Sequence, residues 1–240
     1  MTCRLGVLAL GDSITNGGGE LQSGVALQSW ALWTARGLAL PYTGMAADGA
    51  RAADVVARQL PAVPPDARYD LGCLYAGVND VRAPDFDADA FARDHATALA
   101  FLAARCERVL TATLPLDLGR PRAAWTVEAN AVVERTARTA AALLLDLRDF
   151  GARNLVMADH VHPTAFGQVA IAERALGVLA ADGMPVRVRP STLISPSDST
   201  RAGRLRGNLT YAYRHAKVSA RAAALIARSY AASGRGGAPS

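Results

Sequence analysis

Five short apolar runs, each followed by a stretch of helical character, leave this chain few folds to choose from. Leu5–Leu10, Leu40–Met45, Asp70–Ala76, Val109–Leu114 and Leu143–Leu147 read as strands. Between and after them, Gln22–Ala39, Ala52–Leu60, Ala88–Arg105, Thr126–Ala142 and Thr164–Ala181 read as helices. The helix at Ala52 is expected to stop before Pro61, and the last helix follows directly on Pro163. Strands alternating with helices predict an α/β fold with a five-stranded parallel sheet covered on both faces. Right-handed crossovers then bring every strand's carboxyl end to the same edge.

At 240 residues, 51% of them hydrophobic, the chain can bury one large domain and still carry an appendage. The charge pattern places the boundary. From Pro185 to Ser240 there are ten basic residues against Asp198 alone, which leaves sixteen basic and twenty acidic residues in the first 184. Residues 1–184 therefore read as the folded domain, mildly acidic, and 185–240 as a basic extension: a linker or strap, a helix over Leu209–Ala232 and a disordered end. Lys217 and the arginines of this tail suit an acidic protein partner or a second copy of the chain. Nothing in the body suggests specific nucleic-acid binding.

No run reaches the roughly 18 apolar residues of a membrane span. The chain passes from Met1 almost directly into its first strand, without the pattern of a secretory signal, so a cytoplasmic location is expected, with secretion left open for a mature form. Cys3, Cys73 and Cys106 form no CxxC pair and read as small apolar residues.

The strand ends carry the chemistry. The first strand delivers Gly11-Asp12-Ser13 and then a glycine-rich turn at Gly17-Gly18-Gly19. The third is followed by Gly77-Val78-Asn79-Asp80, and the segment before the last helix reads Asp159-His160-Val161-His162-Pro163. Acyl transfer from an ester needs a nucleophile, a base, an acid to orient that base, and donors for the developing oxyanion. Ser13 supplies a hydroxyl. Asp159 and His162 stand three residues apart, so one short turn can aim the carboxylate at Nδ1 while Nε2 faces a serine. The donors expected are the Ser13 N–H, a backbone N–H in the loop after the second strand, and the Asn79 side-chain amide.

Gly11-Asp12-Ser13, the glycine loop, Gly77-x-Asn79-Asp80 and Asp159-x-x-His162-Pro163 together resemble the ordered sequence blocks of the SGNH (GDSL-type) hydrolases. The resemblance runs from Leu5 to about Leu179 and leaves out the basic tail. It implies a flavodoxin-like three-layer α/β/α sandwich and ester hydrolysis through an acyl-enzyme, without metal or other cofactor. It implies Ser13 as nucleophile, His162 as base and Asp159 as its partner, with Ser13, Asn79 and a glycine after the second strand as the oxyanion hole. That glycine is matched to Gly49, with Gly44 as runner-up. The family often carries an asparagine shortly before it, where this chain has Thr43 or its neighbours. Asp48 stands where a small residue is usual.

Three functions are weighed on this reading. The first is a serine esterase for small or medium acyl esters. The second uses the same triad as an acyltransferase or thioesterase. The third, a nucleotide-binding flavodoxin-like module, fails on its motifs: a Walker loop counted from Gly11 would need glycine at Asn16 and Lys at Gly17, and Ser13 stands where a dinucleotide fingerprint needs its second glycine. Other residues have plainer readings. Asp12 and Asp80 should hold loop backbone, His160 should line the surface or pocket, and Trp30 and Trp33 should sit in the core or pocket wall. His95 and His215 are given no role. The loops 80–89 and 115–125 should set specificity.

Overall fold

The computed structural model describes residues 4–19, 25–119, 123–152 and 154–194. Within 209–227 it also describes residues 209, 212, 213, 215–221, 223, 224 and 227. Five parallel strands, β1 (Val7–Gly11), β2 (Tyr42–Gly44), β3 (Tyr69–Tyr75), β4 (Cys106–Ala112) and β5 (Leu143–Leu145), form one sheet in the order β2-β1-β3-β4-β5. β1 is buried along its whole length and pairs on both sides, Ala9 opposite Gly44 in β2 and opposite Cys73 in β3. Its side chains alternate between faces. Val7 and Ala9 pack toward Trp30, Ile171 and Leu176, and Leu8 and Leu10 toward Val55, Leu60, Leu99 and Leu102.

Those contacts define the layers. α2 (Trp30–Leu38) and α8 (Ala165–Ala181) pack on each other over one face. The other face is covered by the helical stretch from α3 (Ala52–Asp54) through α4 (Leu60–Ala62), and by α6 (Ala88–Ala103) with α7 (Thr126–Thr139). This is the expected three-layer α/β/α sandwich. The strand order reverses at β1, with β2 on one side and β3 on the other, so β1 and β3 open the crevice where such sheets bind ligands.

Four expectations are corrected. Residues 22–24 of the segment expected to be helical over Gln22–Ala39 lie outside the described residues. Residues 26–29 are not helical, and α2 starts only at Trp30. The Ser29 side chain accepts the Leu32 N–H there and fixes the start. The first helix of the chain is instead α1 (Ser13–Asn16), a single turn directly after β1. The helix at Ala52 does not stop before Pro61: Val55–Gln59 winds as a π-helix and α4 carries the chain to Ala62, one residue past the proline, whose missing N–H ends the ladder there. β4 begins at Cys106, not Val109, pairing Cys106 with Tyr69, so this cysteine is a half-buried strand residue.

After α8 the chain folds back as a strap. The N–H groups of Arg187 and Val188 both donate to the Gly37 carbonyl of α2, and Ser191 N donates to Glu173 of α8. The described residues between 209 and 227 are helical. Residues 195–208 of the expected linker, and the end expected to be disordered, lie outside the described residues. No helix among the described residues is long and apolar enough to cross a membrane.

Candidate active site

The first feature of the site is where β1 ends. Gly11 has φ +141°, and a Cβ there would overlap the carbonyl oxygen of Tyr75 at the end of β3. Only glycine lets the two strand ends approach this closely. Asp12 follows as the N-cap of α1, its Oδ1 accepting the Ile14 N–H at 2.9 Å. Ser13 is therefore the first residue of a one-turn helix, and its amide is among those without an intrahelical acceptor.

Ser13 Oγ stands 3.0 Å from His162 Nε2, and His162 Nδ1 stands 2.8 Å from Asp159 Oδ2. The second contact is local. Asp159 Oδ1 accepts the N–H groups of Val161 (2.9 Å) and His162 (3.1 Å), an Asx-type turn that leaves Oδ2 for the imidazole. The turn is anchored below by the Met157 N–H to His162 carbonyl bond and by the Val156–Pro163 bridge. The serine contact spans 149 residues and depends on the sheet bringing β1 beside this loop.

The hydrogen bond to Asp159 raises the His162 pKa above its ordinary value, partial burial opposing it. Burial pushes Asp159 up, but the bonds from His162 and from the Val161 and His162 backbone outweigh it and hold the carboxyl below the usual range. The pair is thus arranged as carboxylate and imidazole with Nδ1–H donating. Nε2 is left to accept the serine proton.

The remaining expected residues lie on loops pinned to one another. Asn79, in α5 (Val78–Arg82), donates one amide hydrogen to the Ala50 carbonyl at 2.9 Å and keeps the other. Asp80 accepts the Ala52 N–H, and burial pushes its pKa up to about 6. Gly49 lies between these ties and two others: Ala47 N–H to the Gly11 carbonyl (3.1 Å), and Asn16 Nδ2 to Asp48 Oδ1 (2.9 Å). Gly44 lies inside the sheet ladder opposite Ala9. The loop carrying Gly49 is thus fastened both to the Ser13 helix and to the Asn79 helix.

Asp12 is fully buried. Burial drives its pKa to about 7 against the pull of the Ile14 N–H, and its Oδ2 has no partner among the described residues. Trp30 and Trp33 are core residues, and Trp30 Nε1 donates to Thr15 in α1. His95 is buried between Thr136 and Thr111 on the covered side of the sheet, its pKa lowered to about 4 by burial. His160 has φ +59° and pairs with Asp117 at 3.1 Å. Its ring also touches His215 of the tail, with centroids 6.0 Å apart.

Two buried carboxamides hold the nucleophile's surroundings, and sequence reasoning passes over both. Gln59, at the end of the π-helix, accepts the Gly11 N–H at 2.9 Å and donates to the Gly11 carbonyl at 2.8 Å. Gln168 accepts the Trp30 N–H and donates to the Ile14 and Gly18 carbonyls. Neither sits in a motif, and their partners lie 48 and up to 154 residues away. Only the π-turn itself, a frequent companion of functional sites, marks Gln59 in the backbone.

No group of three or more His, Cys, Asp or Glu side chains placed to hold a metal occurs among the described residues. The profile of the GDSL-like lipase/acylhydrolase family matches residues 9–170. Among solved structures, TesA superposes with a TM-score of 0.59 at 23% identity, over 73% of this chain and 98% of that one. Axe2, an acetylxylan esterase from Geobacillus stearothermophilus, gives 0.57 at 20% identity, over 78% of this chain and all of that one. LAE5, an α/β hydrolase from the metagenome of Lake Arreo, Spain, gives 0.56 at 21%, over 72% and 94%. At these identities the likeness is one of fold. No curated protein matches the chain by sequence.

Proposed function

From the premise that the chain belongs to the GDSL-like lipase/acylhydrolase family, we propose that it is a serine esterase of small or medium acyl esters that uses Ser13, His162 and Asp159 as its triad. The observation that carries the reading is the continuous relay from Ser13 Oγ to His162 Nε2 (3.0 Å) and from His162 Nδ1 to Asp159 (2.8 Å) at the carboxyl edge of the sheet.

His162 Nε2 takes the Ser13 proton as Oγ attacks the ester carbonyl carbon. The negative charge moves to the carbonyl oxygen, where the N–H groups of Ser13 and Gly49 and the free Asn79 amide hydrogen stabilise it. Collapse breaks the bond to the alcohol oxygen, which leaves with the proton from His162 and gives the acyl-enzyme. Water, deprotonated by His162, attacks the acyl carbon; a second collapse frees the acid and returns the proton to Ser13. The Asp159 carboxylate holds the imidazole in one tautomer throughout and stabilises it when protonated.

A fluorophosphonate probe should label Ser13 stoichiometrically, and p-nitrophenyl esters of increasing acyl length should be turned over in proportion to unlabelled enzyme. Labelling of another residue, or turnover that survives full labelling, would overturn the assignment. Acyl transfer to an added alcohol at the expense of hydrolysis would turn the same triad toward the transferase reading.

Asn79→Ala should lower kcat by about 10²–10³, the usual effect of removing one oxyanion donor. Asn79 also ties down the Ala50 carbonyl, so KM and the unfolding midpoint should be measured with kcat. A drop in stability with kcat unchanged would take Asn79 out of the oxyanion hole and leave it a loop fastener.

A further inference from the structure

Arg82 closes α5, three residues beyond Asn79, and is exposed. Its guanidinium lies against Gly119 in the loop after β4. Gly119 has φ +78°, and a Cβ there would overlap Arg82 Nη1 and come within 3.3 Å of Val161 Cγ2. The missing side chain is what leaves room for the arginine. Gly119 in turn donates its N–H to the His160 carbonyl at 3.0 Å. Arg82 thus lies against a glycine that is itself bonded to the loop that carries His162.

The carboxylates around this mouth are already engaged. Asp159 holds His162, Asp117 pairs with His160, Asp85 accepts from Arg51 at 3.3 Å, and Asp48 accepts from Asn16. Arg82 has no carboxylate within ion-pair distance among the described residues. Four residues on, Phe86 stacks on Trp125 with centroids 6.1 Å apart, and Trp125 remains 44% exposed. A guanidinium seated against Gly119 with no carboxylate partner among the described residues, on the chain segment that leads to a partly exposed aromatic pair, suits an ester that bears an anion.

Resting on the esterase reading, we infer that Arg82 is a specificity residue that selects esters carrying a carboxylate or phosphate on their alcohol portion. The side of the substrate follows from the proton transfers. His162 must deliver its proton to the leaving alcohol, so the alcohol departs on the His162 side of the reacting carbon, and Arg82 lies against Gly119, which is bonded to that same loop.

The test uses full-length protein and matched acetate esters: 3- and 4-acetoxybenzoate, the corresponding neutral benzamides, and 4-acetoxyphenyl phosphate. Each kcat/KM is divided by the ester's rate with hydroxide. Wild type should prefer the carboxylate esters over the amides by about fivefold, the scale of a partly exposed ion pair. That preference should shrink as salt is raised. Arg82→Gln should bring the ratio to about one, and Arg82→Glu should reverse it. Arg138→Gln, which removes an exposed charge in the last turn of α7, should leave it as in wild type. The phosphate ester distinguishes a general anion site, with both anions favoured, from a carboxylate fork, with only the benzoates favoured; both outcomes support Arg82. A wild-type ratio of one, or a preference that persists in Arg82→Gln, overturns this inference while the esterase stands. Absence of Ser13-dependent turnover on every ester, neutral ones included, overturns both.

Discussion

Ser13→Ala is expected to lower kcat on p-nitrophenyl acetate by about 10⁴–10⁶ and to leave the protein folded. The size follows from the chemistry. Without Oγ there is no acyl-enzyme, and His162 has no positioned nucleophile to deprotonate. What survives is the rate that the oxyanion donors alone give to water. Retention of the fold follows from the local structure. Ser13 is the first residue of α1, where the capping is done by Asp12 through the Ile14 N–H and not by Ser13 itself. Alanine suits a helical position, and the Oγ that is lost makes its contact with His162 in a half-exposed site. The denaturant midpoint should therefore stay close to wild type. Turnover within tenfold of wild type would show that another residue is the nucleophile. A collapse in stability would mean that the Ser13–His162 bond holds β1 to the Asp159 loop.

Legibility in the sequence followed the range of the interactions. Asp159 and His162 could be paired from spacing because their geometry is made by one turn whose hydrogen bonds lie within three residues. The strands could be placed because a buried parallel strand writes itself as an apolar run, as β3 does. α1 does not show in the sequence because a single turn is too short to carry a helical period, and its only local mark is the Asp12 cap. Val25 and Leu27 fall in the segment expected to be helical, although both meet the core from non-helical backbone ahead of Ser29. Gln59 could not be read at all. Its role exists only where a π-turn across the sheet meets the Gly11 peptide, and no local pattern encodes that. Arg82 is similar: the sequence shows an arginine near Asn79, but the glycine that seats it comes 37 residues later and from a different strand's loop.

The second large effect is expected from Asp159→Asn, which should cut kcat by about 10⁴ with little change in the loop. The amide oxygen can still accept the N–H groups of Val161 and His162, so the turn is kept. The amide nitrogen then faces His162 Nδ1 and donates to it. Nδ1 must become the acceptor, the ring proton moves to Nε2, and Nε2 can no longer receive the Ser13 proton. The pH profile gives an independent readout. In wild type the bond to Asp159 raises the His162 pKa above its ordinary value. The protonated ring is inactive as a base, so kcat/KM should be lost as pH falls through that raised value. The acid limb should therefore lie above about pH 6.5, the value of an unperturbed histidine. Removing the carboxylate removes the largest cause of the rise, so the residual activity of the variant should show its acid limb at lower pH than wild type. The downward shift of the limb follows from loss of the carboxylate in either case; a tautomer fault leaves the unfolding midpoint as in wild type, whereas disorder of the loop lowers it. If the limb stays where it is in wild type, the group titrating there is not His162, and the base must be sought elsewhere along this edge of the sheet.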